Sequence, residues 1–203
     1  MLRCLFSLLF AGILWGCGTN TTPLTSPKST PQVPVAWKDY SIEPRDIQGL
    51  TIDSEAISGS GTFVLSPTFP ADSAFTLTFS IDPGGSLSLV THTDNELSCG
   101  LKVLLFRVSN ILRIEVQHSA MNYRFLGDDM TAEIQNLNID VTKPVTLTFD
   151  IHAHGHFTII HGAKKTKAIK FPDLTASQNA RVGFEMDRAT LNSFERKAAS
   201  NHR

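Results

Sequence analysis

Hydrophobic and polar residues alternate along most of the chain beyond residue 60, and turn residues interrupt the alternation at short intervals. A period of two places successive side chains on opposite faces of a β-strand. The clearest runs, residues 75–81, 112–116 and 145–151, carry a hydrophobic residue at every second position. Residues 101–108 are almost continuously hydrophobic, which indicates a central strand. The pattern predicts about ten to twelve short strands and almost no helix.

Turn-forming residues stand between these runs. Asp82–Pro83–Gly84–Gly85 predicts a chain reversal, Ser109–Asn110 predicts a two-residue turn, and Gly155 predicts a hairpin tip. Ser58–Gly59–Ser60–Gly61 predicts a flexible turn. Residues 128–138 fit either a short helix or a strand, and the pattern leaves both open.

Strict alternation gives each sheet one hydrophobic face and one polar face. Two antiparallel sheets packed face to face, or a closed barrel, can bury such faces. We expect an all-β fold, with residues 37–203 forming a two-sheet antiparallel jelly-roll sandwich.

The N-terminus follows a different pattern. Residues 5–15 form an apolar run behind Arg3, too short to span a bilayer as a helix and typical of a signal-peptide core. Leu14–Trp15–Gly16–Cys17 follows at once and resembles the lipobox of bacterial lipoproteins, although Trp15 departs from the usual small residue. The resemblance implies that residues 1–16 are a signal peptide and that Cys17 becomes the first, acylated residue. An ordinary secretory peptide and an uncleaved anchor are the alternatives.

Residues 18–35 form a linker, since eleven of these eighteen residues are Thr, Ser or Pro. Such a segment cannot bury enough apolar surface to offset the entropy of ordering it. We therefore expect residues 17–36 to be an acylated cysteine and a disordered tether, which could extend over roughly 55 Å as polyproline II. The predicted partner is the membrane, reached through the lipid. Gly18 stands where some bacteria place the Asp that keeps lipoproteins at the inner membrane, which favours the outer membrane.

Charge and cysteine content indicate which partners and which covalent links to expect. The 18 basic and 19 acidic residues leave the chain near neutral, with no basic stripe of the kind that binds nucleic acid, so no nucleic-acid partner is expected. Of the three cysteines, Cys4 lies in the predicted signal peptide and Cys17 is predicted to carry lipid. Cys99 would then lack a disulfide partner, and its position before a hydrophobic run predicts a buried structural thiol.

The strand sequence of the main domain also resembles a known fold family. Residues 75–81, 86–91, 100–108 and 112–117 resemble successive strands of the concanavalin A-like, laminin-G-like sandwich. Residues 145–162 resemble the paired hairpin of this family, and Val182–Gly183–Phe184 resembles its late strand. The likeness covers residues 60–195 or so. The family includes glycan-binding modules, adhesion modules and glycosidases, so the resemblance implies binding of glycan or protein. Its glycosidase members carry a Glu-x-Asp-x-x-Glu strand, and no such run occurs here.

Two groups of residues are candidate sites. On one uninterrupted strand, His152, His154 and His156 would share a face and could bind zinc. Gly155 instead predicts a hairpin in which the three imidazoles diverge, so no metal and no cofactor is expected. The second group is a polar row that could hydrogen-bond sugar hydroxyls or simply face solvent: Arg113, Glu115 and Gln117 on one strand, with Arg124 on its neighbour.

No residues are assigned to catalysis, because glycoside hydrolysis usually needs two facing carboxylates and the row offers one. We expect a lipid-anchored protein of the bacterial cell envelope whose sandwich binds glycan or protein. A carbohydrate-active enzyme with an unrecognised site and a purely structural envelope component are the alternatives.

Overall fold

The computed structural model describes residues 37, 40–94, 96–119, 132–133, 139–152, 154–171 and 180–198. The predicted signal peptide, Cys17, the linker, Arg124 and most of residues 128–138 lie outside the described residues. Most of the described residues are in β-strands, as the alternation predicts. The strands are β1 Ser41–Ile52, β2 Ile57–Phe69, β3 Ser73–Thr93, β4 Gly100–Val108, β5 Ile111–Ser119, β6 Ala132–Glu133, β7 Val145–His152, β8 His156–His161, β9 Lys164–Lys165, β10 Ile169–Lys170 and β11 Ala180–Ala198.

Two long strands, β3 and β11, run through both layers of a sandwich. The second half of β3 pairs with β4, while its first half pairs with β7. The larger sheet has the order β1-β2-β11-β3-β4-β5-β6, and the smaller continues from β3 through β7 and β8 to β9 and β10. Every pairing between named strands is antiparallel, and the order is open at both ends. The fold is therefore the two-sheet antiparallel jelly-roll sandwich that the sequence predicts, and not the closed barrel.

The strands pass from one sheet to the other at a common bend. The predicted reversal at Asp82–Pro83–Gly84–Gly85 is wrong, because these residues lie inside the continuous strand β3. The predicted flexible turn at residues 58–61 is also wrong, because it lies inside β2. Register shifts in β1 and β11 fall at the same level. Asp82–Gly85 themselves have no register partner, but β11 pairs with β3 on both sides of them, from Ser86 and from Ile81, so the turn residues kink the strand instead of ending it.

Arg188 fixes the bend in β11. Its φ of 47° lies in the left-handed region, which is costly for a residue with a side chain. Its guanidinium donates hydrogen bonds to the carbonyl oxygens of Pro83, at 3.3 Å, and Gly84. Its backbone N–H donates to Ser60 Oγ at 3.0 Å. One residue thus ties β2, β3 and β11 together at the corner, through its side chain and its backbone N–H.

The core lies between the two sheets and is rich in phenylalanine. Trp37, expected at the edge of the linker, is fully buried and stacks on Phe194 with ring centroids 5.5 Å apart. Cys99 is buried, as predicted. Burying a large apolar side chain contributes about 1.5–3 kcal/mol. Trp37 belongs to a group of aromatic rings in mutual contact within this core. The rings are those of Trp37, Tyr40, Phe63, Phe69, Phe75, Phe184 and Phe194.

Two further predictions concern short segments. Ser109–Asn110 forms the predicted turn between β4 and β5. Within residues 128–138 the structure describes only β6, which pairs with β5 at Glu115 and Val116. The described part of the chain contains no helix with the length and apolar character that crossing a bilayer requires.

Candidate functional site

The outer face of the larger sheet carries a row of side chains that crosses its strands. Cross-strand partners share a face, with Cβ atoms about 4.5–5.5 Å apart. Residues of β11, β3, β4 and β5 whose side chains point away from the core therefore lie side by side on the outer face. The row is Asp46, Thr62, Glu185, Ser88, Leu104 and Glu115, each register-paired with the next.

An open cavity of about 370 Å³ lies on this row, and we term it the outer-face depression. Hydroxyl groups, carboxylates and one ammonium group line it, together with the apolar side chain of Leu104. Hydroxyls and carboxylates are suited to exchange hydrogen bonds with a polyhydroxylated ligand. The lining residues are Asp46, Gly61, Thr62, Ser86, Ser88, Lys102, Leu104, Glu185, Met186 and Asp187.

An ion pair lies within the depression. Lys102 Nζ is 2.5 Å from Glu185 Oε2, and the two side chains are 17% and 32% exposed. Partial burial reduces screening by water, so the pair holds both groups in place more firmly than a surface pair would. The depression therefore presents a charge-balanced pair of donor and acceptor groups.

A short loop between β3 and β4 borders the depression on one side. Leu97 of this loop, at a φ of 56°, is buried with Val64 and Val90 on the outer face. Asp94 shapes the loop by accepting hydrogen bonds from the backbone N–H groups of Glu96 and Ser98. Burial raises the pKa of Asp94, but the hydrogen bonds from Ser98, Glu96 and Thr93 outweigh it and hold the pKa below its ordinary value.

The bend closes the opposite side. Asp187 Oδ1 accepts a hydrogen bond from Ser60 Oγ at 2.9 Å, and Asp187 Oδ2 lies 3.4 Å from the Arg188 guanidinium. These contacts occupy the Asp187 carboxylate with the structure of the corner. Residues of this corner, Gly61, Ser86 and Asp187, therefore line one end of the depression.

The predicted ligand row lies beside the depression. Arg113, Glu115 and Gln117 share the outer face of β5, because Leu112, Ile114 and Val116 between them are buried. Glu115 is the register partner of Leu104, and Gln117 that of Lys102, both of which line the depression. Glu115 and Gln117 therefore lie next to the depression, Arg113 lies further along the same strand face, and Arg124 lies outside the described residues.

The sequence interpretation missed the depression itself. Ser86 and Ser88 alternate with the buried Leu87 and Leu89, so their outward direction could be read from the pattern. Glu185 likewise lies between Phe184 and Met186. Whether Ser86, Ser88 and Glu185 come close to Lys102 depends on which strands become neighbours. The pattern does not show this, because Glu185 lies about 95 residues beyond its register partner Ser88 along the chain.

The carboxylates of β11 only partly match the glycosidase strand pattern. Glu185 and Asp187 supply a Glu-x-Asp run, but Thr190 stands at the third position. Thr190 also lies beyond the bend, paired with Ser58 and Ser80. Glu185 is engaged with Lys102, and Asp187 with Ser60 and Arg188. The last carboxylate that the glycosidase pattern requires is therefore missing from β11.

The predicted histidine hairpin is confirmed, but its side chains differ from expectation. His152 and His156 are cross-strand partners whose rings stack with centroids 4.6 Å apart, so these two do not diverge. His152 Nε2 also lies 3.6 Å from Asp150 Oδ1. His154 is exposed at the tip. Among the described residues no group of three or more His, Cys, Asp or Glu side chains is arranged to hold a metal ion.

A second depression, of about 340 Å³, lies at the end of the β4–β5 hairpin. Ile111 on its rim is 51% exposed. The backbone N–H of Thr142 donates to Asp140 Oδ1 at 2.9 Å, and this bond is the main cause of the lowered pKa of Asp140. Its lining offers one carboxylate and few other polar side chains, so it is less suited to a polar ligand.

The topology is that of the concanavalin A-like β-sandwiches, as the resemblance in sequence implies. The carbohydrate recognition domain of Emp46p, in its metal-free form, aligns with a TM-score of 0.58 and 12% identity over 80% of this chain and 89% of that chain. The carbohydrate-binding module CBM66 from Bacillus subtilis aligns at 0.57 and 14% identity, over 78% and 95%. A β-glucanase from Bacillus licheniformis aligns at 0.53 and 11% identity, over 75% and 83%.

These similarities define the fold. No known protein family matches the chain, and no curated protein sequence matches it. Because carbohydrate-binding domains and a glucanase share the architecture, the activity of this chain must be argued from its own site.

Proposed function

We propose that this protein is a lipid-anchored component of the bacterial cell envelope whose sandwich binds a glycan in the outer-face depression without cleaving it. The depression is the observation that carries the proposal. It is open and polar, it holds the Lys102–Glu185 ion pair, and it lies on a sheet face in a fold shared with carbohydrate-binding domains.

The lining residues supply the interactions that a sugar requires. Thr62 and Lys102 can donate hydrogen bonds to ring or hydroxyl oxygens, and Asp46 and Glu185 can accept them from hydroxyl groups. Leu104 offers an apolar surface for sugar C–H groups. Because Leu104 and Lys102 are register partners of Glu115 and Gln117, a longer glycan would continue onto these residues and their neighbour Arg113.

A glycan array on the full chain, followed by calorimetric titration of each positive glycan, tests the proposal. Lys102→Ala and Thr62→Ala should each weaken binding about tenfold, because each removes a hydrogen bond to the ligand. The matched controls are Lys197→Ala and Thr146→Ala, which change exposed residues on strands of the smaller sheet. Absence of any bound glycan, or equal losses in the controls, would overturn the proposal.

The second candidate is a carbohydrate-active enzyme, favoured by the Glu185 and Asp187 carboxylates in the depression. Product release from each bound glycan, measured as new reducing ends, separates the two candidates. Turnover that persists in both Glu185→Gln and Glu115→Gln would exclude these carboxylates as catalytic groups. A purely structural role predicts neither binding nor turnover.

The anchoring part of the proposal is supported by Leu14–Trp15–Gly16–Cys17 and by the Thr- and Pro-rich residues behind it. Mass spectrometry of the mature N-terminus tests it directly. Cys17 should be the first residue and should carry acyl chains, and Cys17→Ser should release the protein from the membrane fraction. Cleavage elsewhere, or an unmodified Cys17, would contradict the anchor.

A further inference from the structure

Positive charge is concentrated in one part of the smaller sheet. Residues 144–171 contain four lysines and a single carboxylate, Asp150, in a chain of net charge −1. Asp150 is 3% exposed and faces His152, so it contributes little negative charge to the surface. The described residues of β7 to β10 contain no other carboxylate.

The four lysines lie within residues 164–170, which we term the basic strap. Lys164, Lys165, Lys167 and Lys170 are all exposed. The strap runs along the outer side of β8, where Lys164 pairs with His161 and Lys170 with His156. Four ammonium groups are therefore presented along a few residues of one sheet edge.

The backbone of the strap is firmly attached. The Thr166 N–H donates to the Ile159 carbonyl oxygen at 2.9 Å, and the Ile159 N–H donates to Thr166 Oγ1 at 2.9 Å. Ile169 packs against the core. Phe171 is buried, and its N–H donates to the Gly155 carbonyl oxygen at 2.9 Å. Binding through these lysines would therefore need little ordering of the backbone.

Lysines also protect sheet edges from pairing with other chains. The strap has four lysines within seven residues, and the described residues of β7 to β10 contain no exposed carboxylate. Neither of the two depressions is lined by these lysines. The arrangement thus fits an extended anionic surface better than a small anion.

We infer that the basic strap docks the domain onto a bilayer that carries anionic phospholipids. Charge complementarity and the concentration of four exposed lysines within seven residues of one sheet edge support this partner. Stable attachment commonly combines acyl chains with a basic patch, so the strap would act as a second signal beside Cys17. The inference takes from the proposed anchor only the proximity of a membrane, and it does not involve the outer-face depression.

Vesicle co-sedimentation of the chain from residue 17 with Cys17→Ser, which carries no acyl group, tests the inference. Vesicles contain phosphatidylcholine alone or with about 30% phosphatidylglycerol, since anionic lipid creates the surface potential that attracts lysine. Binding should require the anionic lipid and should fall sharply in about 0.5 M salt, where the Debye length is a few ångströms.

Lys164→Gln/Lys167→Gln should weaken partitioning roughly 25-fold, at about fivefold for each lysine near the surface. The matched control, Arg45→Gln/Lys197→Gln, removes two exposed positive charges on β1 and β11 and should change partitioning less than about threefold. Equal effects of the two pairs would overturn the inference, as would binding to soluble polyphosphate without binding to vesicles. Circular dichroism of each variant confirms that the fold is intact.

Discussion

Gly183 is the residue on which Leu97 packs. A Cβ atom at Gly183 would lie 2.3 Å from Leu97 Cδ2 and 3.0 Å from the Phe63 carbonyl oxygen. Gly183→Ala should therefore displace the β3–β4 loop and lower the free energy of unfolding by about 1–3 kcal/mol. Urea unfolding measures the loss.

A double-mutant cycle distinguishes this contact from a general strand effect. Leu97→Ala removes the obstructing methyl groups, so Gly183→Ala should cost less in that background. Strict additivity of the two changes would show that Leu97 does not cause the destabilisation.

His92 links stability to pH. Its side chain is 3% exposed, with Nε2 3.0 Å from the Ala71 carbonyl oxygen and Nδ1 3.1 Å from Thr91 Oγ1. Burial lowers the pKa of His92, against smaller opposing effects of Ala71 and Asp72. The folded protein therefore favours neutral imidazole, while the unfolded chain takes up a proton below the ordinary pKa of 6.5.

It follows that the contribution of His92 to stability is complete above pH 6.5 and declines as the pH falls toward the folded-state pKa. Urea midpoints at neutral and mildly acidic pH should show a smaller acid-induced loss in His92→Gln than in the unaltered chain. The opposite order would mean that other groups dominate the pH dependence.

At the scale of elements, the bend in β11 depends on a strained residue. Arg188→Ala keeps the cost of a positive φ and removes the hydrogen bonds to Pro83 and Gly84, so it should destabilise the fold by about 1–2 kcal/mol. Arg188→Gly removes the same hydrogen bonds but adopts a positive φ without strain.

Thermal unfolding should therefore rank Arg188→Gly above Arg188→Ala, by about 1 kcal/mol. This order is the reverse of that at an ordinary strand position, where glycine is the weaker residue. If alanine proves more stable, the left-handed conformation does not limit the bend.

Sequence patterns predicted the strands that alternate strictly and missed the continuity between them. Residues 75–81 and 145–151 lie in β3 and β7, with their hydrophobic residues buried. The residues of Asp82–Gly85 permit either a reversal or a kink, and the neighbouring strand decides which occurs. β1 was not predicted, because Glu43, Pro44, Arg45 and Asp46 interrupt any alternation.

At the scale of the whole molecule, the candidate site likewise depends on which strands are neighbours. Alternation correctly placed Arg113, Glu115 and Gln117 on a polar face, because that depends on β5 alone. The depression requires β1, β2, β11, β3 and β4 to be adjacent, and this order does not follow the order of the sequence. Local patterns therefore predict on which face of its strand a residue lies, and the topology of the sheet determines which of these residues come together in a site.

Trp37 joins the start of the domain to its core. Trp37→Ala should destabilise the protein by about 3–5 kcal/mol, because it leaves a cavity among Phe63, Phe184 and Phe194. Trp37→Phe should cost much less, since it keeps a ring and removes an indole N–H that has no hydrogen-bond partner among the described residues.

Chemical denaturation followed by circular dichroism compares the two variants. In the unaltered chain, Trp37 fluorescence should shift to longer wavelength in the same transition, provided that Trp15 is removed with the predicted signal peptide. Equal losses in the two variants would indicate that ring packing is not what Trp37 contributes.

The position of β11 has a consequence for when the chain can fold. This strand comes last among the described strands, yet it pairs with β2 on one side and β3 on the other. Until it is present, the middle of both sheets is missing and their most extensive pairing cannot form. Collapse into the sandwich must therefore wait until nearly the whole polypeptide has been synthesised, because the strand that joins β2 to β3 is made last among the described strands.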